Sequence, residues 1–112
     1  MSHHDLTVNL IRAALDANYI QQMVVSNNIA NANTLGYRPK KVDFQNQLQA
    51  IAQGAQSHLG QPVIQEVEGQ YKVNIPQQMA QLSQNEMAYR SMITGLNQHN
   101  SILESAIMGG NK

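Results

Sequence analysis

The chain has 112 residues, of which 27 are Asn or Gln, and its seven basic residues balance seven acidic ones. This length suits one domain, and the lack of net charge argues against nucleic-acid binding, which rewards clustered positive charge. The absence of cysteine excludes disulfides and cysteine nucleophiles. No apolar run reaches the ~18 residues of a membrane span, so we expect no such span.

The N-terminal segment carries apolar residues at alternating steps of three and four, the spacing of a coiled-coil seam. We predict a helix from about Asp5, a candidate N-cap, to about Asn33. Gly36 then supplies a left-handed stop, and Pro39 prevents the helix from resuming. Two alanines on the seam would let another helix approach closely. The predicted seam consists of Leu6, Leu10, Ala13, Ala17, Ile20, Val24, Asn27 and Asn31.

The middle of the chain carries weaker patterns. We expect residues 42–53 to form a short amphipathic helix or a packed arm, and residues 54–61 to form a linker. Residues 63–67 and 70–75 alternate between apolar and polar side chains. This alternation predicts a small β-hairpin around a two-residue turn at Glu68 and Gly69.

The C-terminal third carries the strongest repeat, four heptads that predict a helix over residues 77–108. At ~1.5 Å per residue this helix would be about 48 Å long. Asn74 can cap its start with Gln77 at the reciprocal capping-box position, and Gly109 and Gly110 would stop it. The predicted seam consists of Met79, Leu82, Glu86, Tyr89, Ile93, Leu96, Asn100, Leu103 and Ile107.

These elements predict a mainly α fold, in which two long terminal helices pair as a coiled coil around a short irregular middle segment that can hold a small β-hairpin. Within one domain, we expect residues 1–35 to form the N-terminal helix with an Asn-rich motif. Residues 36–73 form the extended arm, linker and hairpin, and residues 74–112 form the C-terminal heptad helix.

The residues that could carry chemistry are dispersed. No two of the four histidines, His3, His4, His58 and His99, have the i,i+4 spacing of a helical zinc site. The seven carboxylates are scattered, and the chain has neither a glycine-rich phosphate loop nor a nucleophile elbow. We therefore expect no enzymatic activity and no catalytic, cofactor or metal site.

An Asn-rich motif marks the end of the N-terminal helix. Asparagine has a low helix propensity, and an amide on an apolar seam is costly unless it is hydrogen-bonded. A helix that frays into a polar turn accounts for Asn33 and Gly36 but not for amides on the seam. We therefore interpret Asn27 and Asn31 as register-fixing amides, a role that Glu86 and Asn100 would share on the other helix. The motif residues are Asn27, Asn28, Asn31, Asn33, Gly36 and Tyr37.

Residues 28–37, Asn-Ile-Ala-Asn-Ala-Asn-Thr-Leu-Gly-Tyr, resemble the signature of the bacterial flagellar axial proteins of the rod and hook family. The following Val42-Asp43-Phe44 resembles the continuation of this signature in rod proteins. In the C-terminal third, the stretches around 73–80, 85–90 and 96–107 most resemble the proximal-rod members of the family.

The resemblance implies a structural subunit of the flagellar basal-body rod that leaves the cytoplasm unfolded by type III export. It would self-assemble through coiled-coil terminal helices into a tubular axial structure in the periplasm. The implied partners are the chain itself, other rod proteins, the FliE adaptor, the MS ring and the export gate. The first five residues lack the basic and apolar regions of a secretory signal, so we expect no cleaved signal peptide.

Two alternatives remain open. The chain could be another member of the rod family, or an intracellular coiled-coil adaptor or chaperone that forms a closed dimer. The second alternative explains the heptads equally well but not the Asn-rich motif.

Overall fold

A computed structural model describes residues 3–45, 47, 49, 53 and 62–109. Two helices and two short strands follow one another in this part of the chain. They are α1 (His3–Ala30), β1 (Lys40–Asp43), β2 (Val63–Glu66) and α2 (Ile75–Gly109). The predicted mainly α fold, with two long terminal helices and a small antiparallel β pair between them, is confirmed.

The two helices pack side by side in opposite directions, in a molecule 66 Å long and 14 Å thick. Near the end of α1, the Asn28 amide contacts Gln78 in the first turns of α2. Earlier in α1, the Asn18 amide donates a hydrogen bond to the carbonyl oxygen of Asn85 at 3.0 Å. Small side chains on α1 allow this close packing. The buried apolar side chains of the described residues are Ala13, Ala17, Val24 and Val25 on α1, together with Pro39.

The side of α2 that faces α1 is offset from the predicted seam. The seam leucines Leu82, Leu96 and Leu103 are half-buried, as predicted. At the other heptad position of the seam, a side chain one residue before the predicted one also faces α1. These buried or half-buried positions are Gln78, Asn85, Met92 and His99. Of the predicted seam, the residues left exposed are Met79, Glu86, Tyr89, Asn100 and Ile107.

Amide hydrogen bonds explain this rotation of α2. The bonds from Asn28 to Gln78 and from Asn18 to the backbone of Asn85 turn the polar flank of the leucine stripe toward α1. A heptad repeat marks a stripe of the helix surface, but it does not determine which edge of the stripe meets the partner. The prediction that Glu86 and Asn100 lie on the contacting seam is therefore wrong within the single chain.

The strand pairing differs from the predicted hairpin. The turn forms, since Gly69 has φ +75° and the Gln70 backbone N–H donates to the Val67 carbonyl oxygen at 3.3 Å. However, β2 pairs antiparallel with β1, and the described residues 70–74 form no strand. An alternating run shows which face of a strand is apolar but does not identify its partner, and β1 is the strand held against α1.

The remaining middle segment is described in part. The arm predicted over residues 42–53 begins as the end of β1, and its Gln53 amide donates to the Gln49 carbonyl oxygen at 3.0 Å, as in a helical turn. The linker predicted at residues 54–61 lies outside the described residues.

Helix α1 ends at Ala30, three residues earlier than predicted, and continues as tight turns. After the last helical bond, the Ala32 N–H donates to the Ile29 carbonyl oxygen at 3.2 Å and the Thr34 N–H to the Asn31 carbonyl oxygen at 3.0 Å, which tightens the chain into turns. Gly36 adopts φ +81°, the left-handed conformation predicted for it.

Helix α2 begins after the predicted cap. The Asn74 side-chain oxygen accepts a hydrogen bond from the Gln77 backbone N–H at 3.1 Å, and Gly109 is the last helical residue described. Within the described residues, neither helix contains a stretch both long and apolar enough to cross a bilayer.

Candidate assembly site

The side chain of Asn28 is completely buried and uses its whole hydrogen-bonding capacity. Its nitrogen donates to the Lys40 carbonyl oxygen at 2.8 Å and to Gln78 Oε1 at 3.0 Å. Its oxygen accepts from the Tyr37 hydroxyl at 2.6 Å and from the Lys40 backbone N–H at 2.9 Å. A carboxamide has two donor hydrogens and two acceptor lone pairs, so no group is left unpaired. We call these four residues the Asn28 junction.

The strand geometry explains how Lys40 reaches this junction. The Pro39 carbonyl oxygen accepts a hydrogen bond from the Val67 N–H at 2.9 Å, which extends the β1–β2 ladder. In an antiparallel pair the polar groups of successive residues point to opposite edges, so those of Lys40 face away from β2 and toward α1. Asn28 therefore binds the free edge of β1 as a neighbouring strand would.

The turn after α1 brings Tyr37 back over the helix end. The left-handed Gly36 reverses the chain, and buried Pro39 directs it into β1. The Tyr37 hydroxyl lies between two amides, since it donates to Asn28 and accepts a hydrogen bond from Asn27 Nδ2 at 3.4 Å. The turn is thereby fastened to the last helical turns of α1.

Burial raises the pKa of the Tyr37 phenol above its ordinary value of 10.0, while the hydrogen bond from Asn27 lowers this pKa in part. The phenol therefore stays protonated at neutral pH and continues to donate to Asn28. The direction of the shift agrees with the geometry, because ionisation would remove the donor of the 2.6 Å bond.

The structure separates the motif residues into two groups. Asn28 and Tyr37 meet in the buried junction, whereas Asn31 and Asn27 bond each other through their side chains at 3.0 Å on the surface. The Thr34 hydroxyl donates to Asn31 Oδ1, also at 3.0 Å. Within the single chain Asn28, and not Asn27, faces α2, because successive helical residues point about 100° apart. The register-fixing role of Asn27 and Asn31 stays a prediction. Asn33 and Gly36 are exposed in the turn.

Sequence reasoning missed two side-chain amides that join the helices, and it missed the position of Asn85. Gln78 is buried in the junction, and Asn18 donates a hydrogen bond to the backbone carbonyl oxygen of Asn85. Gln78 and Asn85 are seven residues apart, and each precedes a predicted seam position by one residue. A polar repeat that runs parallel to the apolar heptad is therefore the signal that could have identified them.

The described residues contain no group of three or more His, Cys, Asp and Glu side chains arranged to hold a metal ion. The Asn28 junction consists of amides, a phenol and backbone groups that bond one another. The junction therefore has a structural role, since it holds α1, the turn, β1 and α2 in one register.

A model of the family described as "Flagella basal body rod protein" matches residues 12–38, which include Asn28 and Tyr37. The curated flagellar basal body rod protein FlgB of Bacillus subtilis (strain 168) is 27% identical over 128 aligned positions, covering 98% of this chain and 99% of that protein. The chain is thus similar to flagellar basal body rod proteins, and the family match falls on the segment that contains its Asn-rich motif.

Proposed function

We propose that this chain is a structural subunit of the proximal rod, which leaves the cytoplasm unfolded through the flagellar export apparatus. In this proposal the subunit assembles through its terminal helices into a tubular axial structure. The observation that carries the proposal is the position of the family-matched residues. They supply Asn28 and Tyr37 to the junction that fixes the two terminal helices against each other.

The exposed surface of the helices supports an assembling subunit. Met79, Tyr89 and Ile107 on α2, and Tyr19 and Met23 on α1, are large apolar side chains that the single chain leaves exposed. Extended apolar surface on a small protein commonly marks an interaction site. Only 12% of the residues are charged, so long-range repulsion between neighbouring subunits would be weak.

The surrounding assembly follows from the same resemblance. We propose that the neighbours of this subunit are further copies of itself, other rod proteins, the FliE adaptor, the MS ring and the export gate. The rod would lie in the periplasmic part of the basal body. The predicted seam residues that the single chain leaves exposed would provide contacts between subunits, and the Asn-rich motif would fix their register.

Deletion of the gene in its source bacterium, followed by electron microscopy of isolated basal bodies, tests this role. We expect the rod and hook to be lost while the MS ring remains, and a plasmid copy of the gene to restore both. The protein should also be detected in basal bodies purified from the complemented strain. Intact flagella in the deletion strain, or a protein confined to the cytoplasm as a closed dimer, would rule out the proposed function.

A further inference from the structure

An open apolar groove runs between the second half of α1 and strand β2, with a volume of about 840 Å³. Tyr19, Met23 and Ile64 line it, and each of these side chains is more than half exposed. Lys40 is the one charged residue among the described residues that line the groove. Its ammonium group lies at 5.8 Å from the centroid of the Tyr37 ring. We call this surface the groove.

The last residues of α2 form a second apolar surface, at the opposite end of the molecule. The antiparallel helices place Asn28 beside Gln78 and Asn18 beside Asn85. Because both helices rise ~1.5 Å per residue, these two pairs bring the start of α1 level with residues 100–103 of α2. Residues 104–109 therefore extend beyond the described part of α1, and we call them the overhang.

One face of the overhang matches the chemistry of the groove. Glu104, Ile107 and Met108 have the i, i+3, i+4 spacing that places side chains together on one face of a helix. Ile107 is 68% exposed, and Met108 is similarly exposed. Glu104 is the only Asp, Glu, Lys or Arg of α2 after Arg90. This face thus presents two apolar side chains and one negative charge, and the groove presents apolar walls and one positive charge.

These two surfaces cannot meet within one chain. Glu104 lies 26 residues beyond Gln78 on the same helix, which is about 39 Å at ~1.5 Å per residue, and Gln78 is level with the end of α1 beside the groove. A contact between them requires a second copy. Because the contact would join unlike surfaces, it would leave one groove and one overhang free at the ends of every chain of subunits.

We propose that the overhang of one copy docks in the groove of a second copy, with Ile107 and Met108 against Met23 and Ile64, and Glu104 beside Lys40. This contact rests on the proposed function in that it supplies a repeating subunit contact for the rod. Such a head-to-tail contact extends without closing, as growth of an axial structure requires.

Disulfide cross-linking of the full chain tests this contact, because the sequence has no cysteine of its own. The double variant Met23→Cys/Ile107→Cys places one thiol in the groove and one on the docking face of the overhang. The matched control is Met23→Cys/Ile102→Cys. Ile102 is 69% exposed, nearly the same as Ile107, but lies on another side of the helix. Circular dichroism of the reduced proteins checks that both variants are folded.

Mild oxidation should convert the Ile107→Cys variant into a ladder of oligomers, with at least about tenfold more product than the Ile102→Cys variant. Equal yields from the two variants, or monomers only, would overturn the proposed contact. If the groove instead binds another protein or a small apolar molecule, cross-linking of this chain would give equal yields or monomers only.

Charge exchange provides a second measurement that needs no oxidation. Lys40→Glu and Glu104→Lys should each weaken self-association in sedimentation equilibrium, and the double variant should restore it. Lys40 enters the Asn28 junction through backbone atoms, so its side chain can be changed without removing those hydrogen bonds. A double variant no better than the single variants would overturn the ion pair and the docking orientation. Neither outcome depends on the deletion phenotype, which tests the proposed rod function separately.

Discussion

At the scale of single residues, the interior of this protein depends on one amide. Apolar packing is limited, because the buried apolar side chains of the described residues are two alanines, two valines and one proline. Asn28 adds four directional hydrogen bonds that reach three other segments. A buried polar group whose bonds are all made is compatible with stability and specifies one arrangement, whereas a partly bonded group destabilises.

Replacement of Asn28 by leucine should lower the free energy of unfolding by on the order of 3 kcal/mol, because each buried polar group left unpaired costs about 1–3 kcal/mol. Urea unfolding followed by circular dichroism measures this change. Asn33→Ala is the matched control, since Asn33 is an exposed amide of the same motif and its loss should change stability by no more than about 0.5 kcal/mol. Equal effects of the two substitutions would contradict the structural role of Asn28.

The Tyr37 phenol should make stability depend on pH in the alkaline range. Its folded-state pKa lies above the ordinary value of 10.0, so the folded protein holds the phenolic proton more tightly than the unfolded chain. This contribution is fully present below the unfolded pKa and is lost as pH rises through the folded pKa. The stability difference between wild type and Tyr37→Phe should therefore shrink above about pH 10. A difference that stays constant between neutral and strongly alkaline pH would contradict this account.

At the scale of elements, the start of α2 is fixed from two directions. Asn74 caps the backbone of the first turn, and the Gln78 side chain anchors the next turn to Asn28. The cap determines where the helix begins along the chain. The bond to Asn28 determines how the helix is rotated against α1.

Asn74→Ala should reduce stability by about 1 kcal/mol, the usual effect of removing an N-cap side chain. Thermal unfolding monitored by circular dichroism gives the change. Asn97→Ala serves as the control, because Asn97 is exposed within α2 and alanine has the higher helix propensity, so stability should be unchanged or slightly increased. A control as destabilised as the Asn74 variant would argue against capping.

The same elements show how far the sequence predicts the structure. Local chemistry identified the Asn74 cap, the left-handed Gly36 and both long helices, because each depends on residues close together in the chain. The rotation of α2 and the partner of β2 depend on contacts between distant segments. Asn28 and Asn27 look alike in sequence, and only the position of Gln78, 50 residues away, decides which of them is buried.

At the scale of the whole molecule, tertiary packing is uneven along the pair of helices α1 and α2. One end has the Asn28 junction, the β pair and the buried valines of α1. The other end is the overhang, which extends past the described part of α1. Helical segments without tertiary packing are marginal in water, so the two ends of α2 should differ in their local free energy of opening.

Hydrogen–deuterium exchange with mass spectrometry should therefore show faster exchange for the backbone amides of residues 104–109 than for those of residues 78–85. The measurement belongs at low protein concentration, where single copies prevail. Asn28→Leu should increase exchange at residues 78–85 and leave the overhang unchanged, which separates the two ends of the helix. Uniform protection along α2 would contradict this gradient.

The bond between Asn28 and Gln78 also sets an order of events in time. The ribosome adds Gln78 50 residues after Asn28, so the hydrogen bond between these two side chains cannot form until α1 has long been complete. Until then the bonds to Tyr37 and Lys40 can form, but the remaining donor hydrogen of the Asn28 side chain can bond only water or a temporary neighbour. Any machinery that handles the chain from its N-terminus onward therefore encounters it before α1 and α2 have paired. The bond between Asn28 and Gln78 forms only after the start of α2 has been synthesised.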